Sequence, residues 1–290
     1  MTRIITSLSD ISESYDALFC DLWGCVHDGL APFAEAVTSL QAFRAKGGTV
    51  MLVTNSPRAH APVRRQLDRL GVPNDAYDGI ATSGDSARAA MLRGAVGEKV
   101  YFIGQPHDQD FFTPLELIET PVTISQVLLE QAEGIVCCGP FDPLADPEEM
   151  RAQFLQAKTR GLKLLCANPD IVVDRGETRE WCAGALAKLY TQMGGESLYF
   201  GKPHPPIYDL ARRRLEALGK DIPDSRILCI GDGILTDIDG ALGEDLDSLF
   251  ITGGLAVRET QTTDQPEPAA LMAYLTKEMR QPTYSIGKLR

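Results

Sequence analysis

The chain has 290 residues, 44% of them hydrophobic, which is enough for two modest domains, each with its own core. A formal net charge of −12 repels a polyphosphate backbone, so we expect no nucleic acid partner, whereas a small anion needs only a few local donors. No run approaches about 18 uninterrupted apolar residues, so the sequence predicts no membrane span and no membrane partner.

The N-terminal segment and the cysteines indicate the cellular compartment in which the protein is expected. The segment lacks the basic start, apolar stretch and small-residue cleavage site of a signal peptide, so a cytoplasmic location is expected. The seven cysteines include no C-x-x-C pair, which favours reduced, buried thiols over a disulfide framework or a zinc site. Core packing is their expected role, with chemistry as the alternative. The sequence leaves the oligomeric state open and is compatible with a homodimer.

Strand-like and helix-like stretches alternate from the start of the chain. "YDALFCD" predicts a strand that ends at Asp21, and "GTVMLVTNS" predicts a second that ends at Thr54. Between them, apolar residues at helical spacing in "APFAEAVTSLQAFRAKGG" predict a helix that stops at Gly47-Gly48. "NSPRAHAPVRRQLDRLG" predicts a further helix with Ser56 as its N-cap.

The segment between Thr54 and Lys202 is far longer than one crossover connection requires. It has its own strand-like runs, "KVYFIG", "GIVCCG" and "LKLLCAN", and a helix in "DPEEMRAQFLQAKTRG" with Asp146 as the N-cap. We therefore predict an inserted α/β domain over residues 82–196, between core segments 1–81 and 197–290.

The last third of the chain continues the alternation. "PPIYDLARRRLEALG" predicts a helix after Lys202, and "SRILCIGDG" and "SLFITGG" predict strands that end at Asp232 and Thr252. Together the elements indicate an α/β fold with a doubly wound, Rossmann-like parallel sheet. Because ligands bind at the carboxyl ends of such strands, we expect Asp21, Thr54, Asp232 and Thr252 to meet in one crevice.

The groups expected in this crevice are those that a phosphoryl-transfer site needs. They are Asp21, Thr54, Asn55, Lys202 in "GKPH", and the acidic pair of "GDGILTD", Asp232 and Asp237. A carboxylate can attack phosphorus, while fixed donors and positive charge offset the negative phosphoryl oxygens. Three carboxylates would also form the oxygen cage that suits Mg²⁺.

Four ordered motifs, "DLWGCVHDG", "VTNSPR", "GKPHPPIY" and "GDGILTDI", resemble those of the haloacid dehalogenase (HAD) superfamily. The chain is most similar to its class IIA phosphatases, which carry a large α/β cap between the second and third motifs. The resemblance implies a HAD core with the insertion as its cap. It also implies Mg²⁺-dependent hydrolysis of a small phosphorylated metabolite through an aspartyl-phosphate, in the sugar phosphate, phosphoglycolate, pyridoxal phosphate or nucleotide class.

The resemblance also implies roles for individual residues. Asp21, Thr54 and Lys202 would be catalytic, with Asp21 as the nucleophile, while Thr54, the Asn55 amide and Lys202 hold the phosphoryl oxygens. The Mg²⁺ ligands would be Asp21, the backbone carbonyl of Trp23, Asp232 and Asp237.

Trp23 is the departure from the family pattern, because phosphatases of this superfamily usually have D-x-D, and the second acid protonates the leaving group. Indole cannot do this, and general acid-base help is typically worth roughly 10²- to 10⁴-fold. His27 or Asp28 could replace the missing acid; the alternative is that both face solvent in a hairpin. Dehalogenases also lack the acid, but they need no metal, so the intact "GDGILTD" favours phosphate chemistry.

Substrate specificity in capped members comes from the insertion. The resemblance points to "ANPDIVVDRG", with Asn168 and Asp170 as candidate substrate contacts. Arg175, Arg179 and Trp181 are further candidates, with plain surface roles as the alternative.

A second hypothesis also stays open, in which the protein keeps the metal and phosphate site and binds a phosphometabolite with little or no turnover. A receiver domain fits poorly, since receivers are far shorter and lack the insertion.

Overall fold

The structure is a computed structural model that describes residues 2–113, 120–175 and 178–290, with the backbone alone for residues 174 and 175. The chain folds into two compact units. The first unit comprises Met1–Thr54, Arg64–Ala81 and Lys202–Arg290, and the second comprises Asn55–Val63 and Thr82–Gly201.

Parallel strands dominate both units. In the described part of the chain the strands are β1 (Arg3–Ile4), β2 (Ala17–Cys20), β3 (Thr49–Thr54), β4 (Gly79–Thr82), β5 (Lys99–Ile103), β6 (Ser125–Gln126), β7 (Gly134–Cys137), β8 (Lys163–Cys166), β9 (Val172–Arg175), β10 (Thr178–Trp181), β11 (Glu196–Tyr199), β12 (Ile227–Gly231), β13 (Asp247–Ile251) and β14 (Tyr284–Ile286).

Helices connect these strands. Over the same described residues they are α1 (Ala34–Ala45), α2 (His60–Leu70), α3 (Ser83–Leu92), α4 (Arg151–Thr159), α5 (Ala183–Gln192), α6 (Pro205–Ala217), α7 (Asp239–Gly243) and α8 (Pro268–Glu278). None of the helices in the described ranges is long and apolar enough to cross a bilayer.

The sheet of the first unit has the strand order β1-β14-β13-β12-β2-β3-β4. From β2 the chain moves outward to β3 and β4, and it later returns to β12, beside β2, and moves outward on the other side. The pairs that β2 makes with β3 and with β12 are both parallel. The predicted α/β fold with a doubly wound parallel sheet is therefore confirmed, and its topological switch point lies between β2 and β12.

One core cluster of the first unit lies between this sheet and α6. Phe19 and Met51 of the sheet pack with Ile207, Tyr208 and Leu215 of α6, all of them buried. These positions lie on the buried side of α6, and full burial of such a side chain contributes about 1.5–3 kcal/mol.

The second unit contains a five-stranded parallel sheet in the order β11-β8-β7-β5-β6 and an antiparallel pair, β9 and β10. Leu164 and Ile135 of the sheet pack against Leu186 and Tyr190 of α5. Strand β11 pairs with β8 from Glu196 onward, so this compact unit extends to Gly201, a few residues past the predicted cap segment. The assignment of residues 82–196 as a cap stays a prediction.

The predicted start of α2 is wrong. The helix begins at His60 rather than after Ser56. The carbonyl of Ser56 accepts a hydrogen bond from Gly84 N at 3.0 Å, and a side chain at Gly84 would collide with the Pro57 carbonyl at 2.1 Å. The first residues of this segment therefore pack against the start of α3 instead of forming a helical turn.

Candidate active site

The register of the first sheet brings the predicted strand ends to one edge. Cys20, the last residue of β2, pairs with Leu52 of β3 and with Ile230 of β12. Asp21, Thr54 and Asp232 follow these paired positions, so they lie at the carboxyl edge beside the switch point, where open α/β sheets bind their ligands.

Lys202 joins two of the predicted acidic residues. Its Nζ donates hydrogen bonds to Asp21 Oδ1 and to Asp237 Oδ1, each at 2.6 Å, and all three side chains are buried. Burial by itself lowers the pKa of Lys202, but the facing carboxylates of Asp21 and Asp237 raise that pKa well above its ordinary value. A fixed positive charge therefore lies between two carboxylates, one of which is the candidate nucleophile.

Asp232 is a buried carboxylate with little room around it. Burial, and then the negative charge of Asp21, raise its pKa well above the ordinary value, although Leu255 N donates a hydrogen bond to Oδ2 at 3.0 Å. A Cβ on Gly24 would lie 2.3 Å from Oδ2, and one on Gly254 would lie 2.0 Å from it. Two glycines thus form a cradle for the Asp232 carboxylate that no larger residue would leave open.

Asp237 is held by the loop that contains it. Its Oδ2 accepts a hydrogen bond from Gly233 N at 3.0 Å, and its own N donates to Gly233 O at 2.9 Å. A single π-helical turn over Ile234–Ile238 leads from this loop into α7. The carboxylate therefore bridges its own loop and Lys202, which fixes the position of the lysine.

The donor set at this edge fits a divalent cation. A carboxylate oxygen of Asp21, a carboxylate oxygen of Asp232 and Sγ of Cys25 lie within 4.8 Å of one another, and all three residues are buried. The carboxylates of Asp21 and Asp232 suit a hard cation such as Mg²⁺, and that of Asp232 lies in the glycine cradle. For Cys25 the sequence favoured core packing, with chemistry as the alternative; the side chain is buried, and Gly24 before it adopts a positive φ.

The Trp23 side chain packs on the hairpin that follows Asp21. A Cβ on Gly29 would lie 2.2 Å from Cη2 of the indole, so only glycine leaves room for the ring there. The indole also meets the His27 ring edge-on, with 5.3 Å between the ring centroids. These contacts account for a bulky residue in place of an acid, because the indole stabilises the hairpin.

Neither His27 nor Asp28, the two candidates in the hairpin, has the properties of the missing general acid. The prediction that His27 faces solvent is wrong, since its side chain is buried, and burial lowers its pKa to about 4. Its Nδ1 accepts a hydrogen bond from Gly29 N at 3.0 Å. Asp28 is exposed, as expected, and its Oδ1 accepts hydrogen bonds from Leu30 N and Ala31 N, which lower its pKa. At neutral pH, His27 is therefore an uncharged imidazole and Asp28 an ionised carboxylate, so neither is in the protonation state of a general acid.

Thr54 is buried at the end of β3, and Asn55 follows it in the chain. Asn55 Nδ2 donates a hydrogen bond to Asp170 Oδ1 at 2.8 Å, although the two residues are far apart in sequence. Asn168 Oδ1 in turn accepts from Asp170 N at 3.0 Å. The second unit thus brings together a predicted phosphate-binding residue and two predicted substrate contacts.

The remaining substrate candidates belong to the β9–β10 ribbon. The backbone of Arg179 is opposite that of Asp174 in the antiparallel strand pair, and the Arg179 side chain is exposed. Trp181 is half-buried, and its N donates a hydrogen bond to Pro143 O at 2.8 Å. The side chain of Arg175 lies outside the described residues. The roles of all these residues in substrate binding stay predictions.

Comparisons with known proteins agree with this architecture. A family model described as haloacid dehalogenase-like hydrolase matches residues 18–117, and a second, HAD-hydrolase-like model matches residues 199–277. These segments contain the strand ends described above. The crystal structure of a hydrolase of the haloacid dehalogenase-like family from Brucella suis 1330 has a TM-score of 0.85, with 40% identity over 99% of this chain and 100% of that one.

Two further relatives carry enzyme names. The 5'-nucleotidase YutF of Bacillus subtilis (strain 168) is 24% identical, over 91% of this chain and 98% of its own length. The glycerol phosphate phosphatase of Mycobacterium tuberculosis, solved in complex with magnesium, is 26% identical with a TM-score of 0.68. That comparison covers 99% of this chain and 78% of the other.

Proposed function

Because the chain belongs to the haloacid dehalogenase-like hydrolases, we propose that it is a phosphatase that hydrolyses small phosphomonoesters with the help of Mg²⁺. The observation that carries this proposal is the buried bridge from Lys202 to Asp21 and Asp237, with Asp232 beside Asp21. Relatives named as a 5'-nucleotidase, an acid sugar phosphatase and a glycerol 3-phosphate phosphatase support the same class of reaction.

In the proposed reaction, the Asp21 carboxylate attacks phosphorus and the ester P–O bond breaks. The leaving oxygen takes a proton from solvent, and the phosphoryl group is left on Asp21. Water then attacks this phosphorus, which releases inorganic phosphate and a proton and regenerates the carboxylate. Lys202 holds one Asp21 oxygen in place and offsets negative charge as the phosphoryl group approaches.

We propose that the Thr54 hydroxyl and the Asn55 backbone amide bind the phosphoryl oxygens. The resident Mg²⁺ would neutralise phosphoryl charge as a Lewis acid, held by Asp21, Asp232 and the carbonyl of Trp23. Asp237 was predicted to be a ligand as well. Since its two oxygens accept hydrogen bonds from Lys202 and from Gly233, we propose that it acts mainly by positioning the lysine.

The nucleophile is tested by Asp21→Asn, with an aryl phosphate as the substrate. We expect loss of turnover, because the amide cannot form the phosphorylated intermediate. Asp28→Asn is the matched control, since it removes a nearby, exposed carboxylate that accepts hydrogen bonds from Leu30 N and Ala31 N. Retained activity in Asp21→Asn would remove Asp21 from the proposed role.

Trp23 leads us to propose a preference for esters with good leaving groups. An aryl oxide departs without protonation, whereas an alkoxide loses the roughly 10²- to 10⁴-fold help of a general acid. The test compares Trp23→Asp with Trp23→Asn, because both variants lose the indole contacts with Gly29 and His27 and only the first gains an acid. We expect Trp23→Asp to raise turnover of alkyl phosphates above that of Trp23→Asn. Equal rates would show that a second acid here gives no benefit.

The alternative, a protein that binds a phosphometabolite with negligible turnover, predicts a different result. In a screen of phosphate esters with Mg²⁺, it would give tight binding and no release of phosphate.

We further propose that the second unit acts as the cap and that Asn168, Asp170, Arg175 and Trp181 contribute to substrate choice among sugar phosphates, phosphoglycolate, pyridoxal phosphate and nucleotides. All seven cysteines are free and buried, which is consistent with a reducing, cytoplasmic location.

A further inference from the structure

Cys25 differs from an ordinary packing cysteine. Its side chain is 1% exposed, and no hydrogen bond to its Sγ occurs among the residues that the structure describes. In contrast, the buried thiols of Cys20 and Cys166 donate to the carbonyls of Asp21 and Asn168. A buried Cys is usually surrounded by apolar groups, but the sulfur of Cys25 faces two carboxylates.

A tight turn places Cys25 there. The amides of Cys25 and Val26 donate hydrogen bonds to Leu22 O at 3.4 and 2.8 Å, and Gly24 adopts a φ of +75°. The chain therefore doubles back directly after Asp21. As a result, Sγ and the carboxylate oxygens of Asp21 and Asp232 lie within 4.8 Å of one another.

We propose that these three residues form a binding site for a thiophilic divalent cation such as Zn²⁺ or Cd²⁺, and that such an ion displaces Mg²⁺ and inhibits the enzyme. Thiolate sulfur is a soft ligand that favours such ions, whereas Mg²⁺ takes oxygen ligands. The site shares two carboxylates with the proposed magnesium site and to that extent rests on the proposed function. No electrons are transferred: the metal–sulfur bond forms as the thiol proton leaves to solvent.

The probe is Co²⁺, added to the reduced, full-length protein without substrate. Cobalt–thiolate bonds give charge-transfer absorption in the near ultraviolet, which carboxylate ligands do not produce. We expect the wild-type protein to develop this band and to saturate at one equivalent of Co²⁺. A wild-type protein without the band would overturn the proposal, and this result does not depend on any variant folding correctly.

Cys25→Ser removes the sulfur with little change in volume. We expect it to lose the charge-transfer band, while Cys137→Ser, which alters a buried cysteine of β7 in the second unit, keeps it. Circular dichroism confirms that each variant is folded. A band that persists in Cys25→Ser would assign the metal–sulfur bond to another cysteine and would refute the site.

Inhibition gives a second measurement. In the presence of Mg²⁺, Cd²⁺ should inhibit aryl phosphate hydrolysis by the wild-type protein at concentrations on the order of tenfold lower than for Cys25→Ser. Equal sensitivity of the two proteins would refute the inhibitory role. The two proposals fail separately: an inactive wild-type protein that shows the cobalt–thiolate band contradicts the phosphatase function, and an active one without the band contradicts only the thiophilic site.

Discussion

Acidification should destabilise the first unit through His27. Burial lowers the pKa of this imidazole from 6.5 to about 4, so the folded protein holds it neutral while the unfolded chain takes up a proton below about pH 6.5. The unfolded state therefore binds more protons between these two values. By linkage, the stability present above pH 6.5 is lost as the pH falls toward about 4.

The size of the effect follows from the two pKa values. Each pH unit between them corresponds to about 1.4 kcal/mol of unfolding free energy, so the full loss is about 3 kcal/mol. Between about pH 7.5 and pH 5 we expect roughly 2 kcal/mol of this loss. His27→Gln should remove this part of the pH dependence, because an amide can still accept a hydrogen bond from Gly29 N and does not titrate.

The assay is urea unfolding at the two pH values, followed by tryptophan fluorescence in a Trp181→Phe background. The chain has two tryptophans, and in this background Trp23, in contact with His27, reports on the first unit. His107→Gln, at an exposed histidine of the second unit, is the control for the loss of a histidine elsewhere in the chain. If the wild-type protein and His27→Gln lose the same free energy on acidification, His27 is not the group responsible.

Three further predictions concern Lys202, Gly24 and Arg88. Lys202→Met should lower the unfolding free energy by about 3–5 kcal/mol in urea titrations, because it leaves the buried carboxylates of Asp21 and Asp237 without their positive partner. The control is Lys220→Met, at an exposed lysine, which should change the unfolding free energy by less than about 0.5 kcal/mol. Gly24→Ala should raise the Mg²⁺ concentration needed for half-maximal activity, because the added Cβ would displace the Asp232 carboxylate. Gly47→Ala is the control: it introduces a side chain at a similar positive φ but in open space, so it should not raise that concentration. Arg88 of α3 donates guanidinium hydrogen bonds to the carbonyls of Phe111 and Thr113, so Arg88→Met should speed proteolytic cleavage within the 3₁₀ helix Pro106–Phe112.

Unchanged stability in Lys202→Met would contradict the buried ion-pair network. Equal magnesium requirements of Gly24→Ala and Gly47→Ala would contradict the glycine cradle. Equal cleavage rates of Arg88→Met and the wild-type protein would show that the hydrogen bonds from Arg88 do not stabilise the 3₁₀ helix.

The sequence alone determined the alternation of strands and helices, because the spacing of apolar residues is a local property that survives in the fold. It also placed Asp21, Thr54 and Asp232 at strand ends, since an apolar run that stops at a polar residue marks where a buried strand leaves the sheet. In a doubly wound sheet these ends share one edge, so their meeting follows from topology.

Only the tertiary structure decided how the side chains are used. The residue type alone does not distinguish a solvent-facing His27 from a buried one, because burial depends on how the segment after Asp21 folds around the ring. The bridge from Lys202 to Asp21 and Asp237, and the approach of Cys25 to two carboxylates, are likewise contacts between groups whose distances the chain fixes only when it is folded. Periodicity carries information about which face of an element is buried, whereas pKa values and metal preference depend on side chains that only the folded chain brings together.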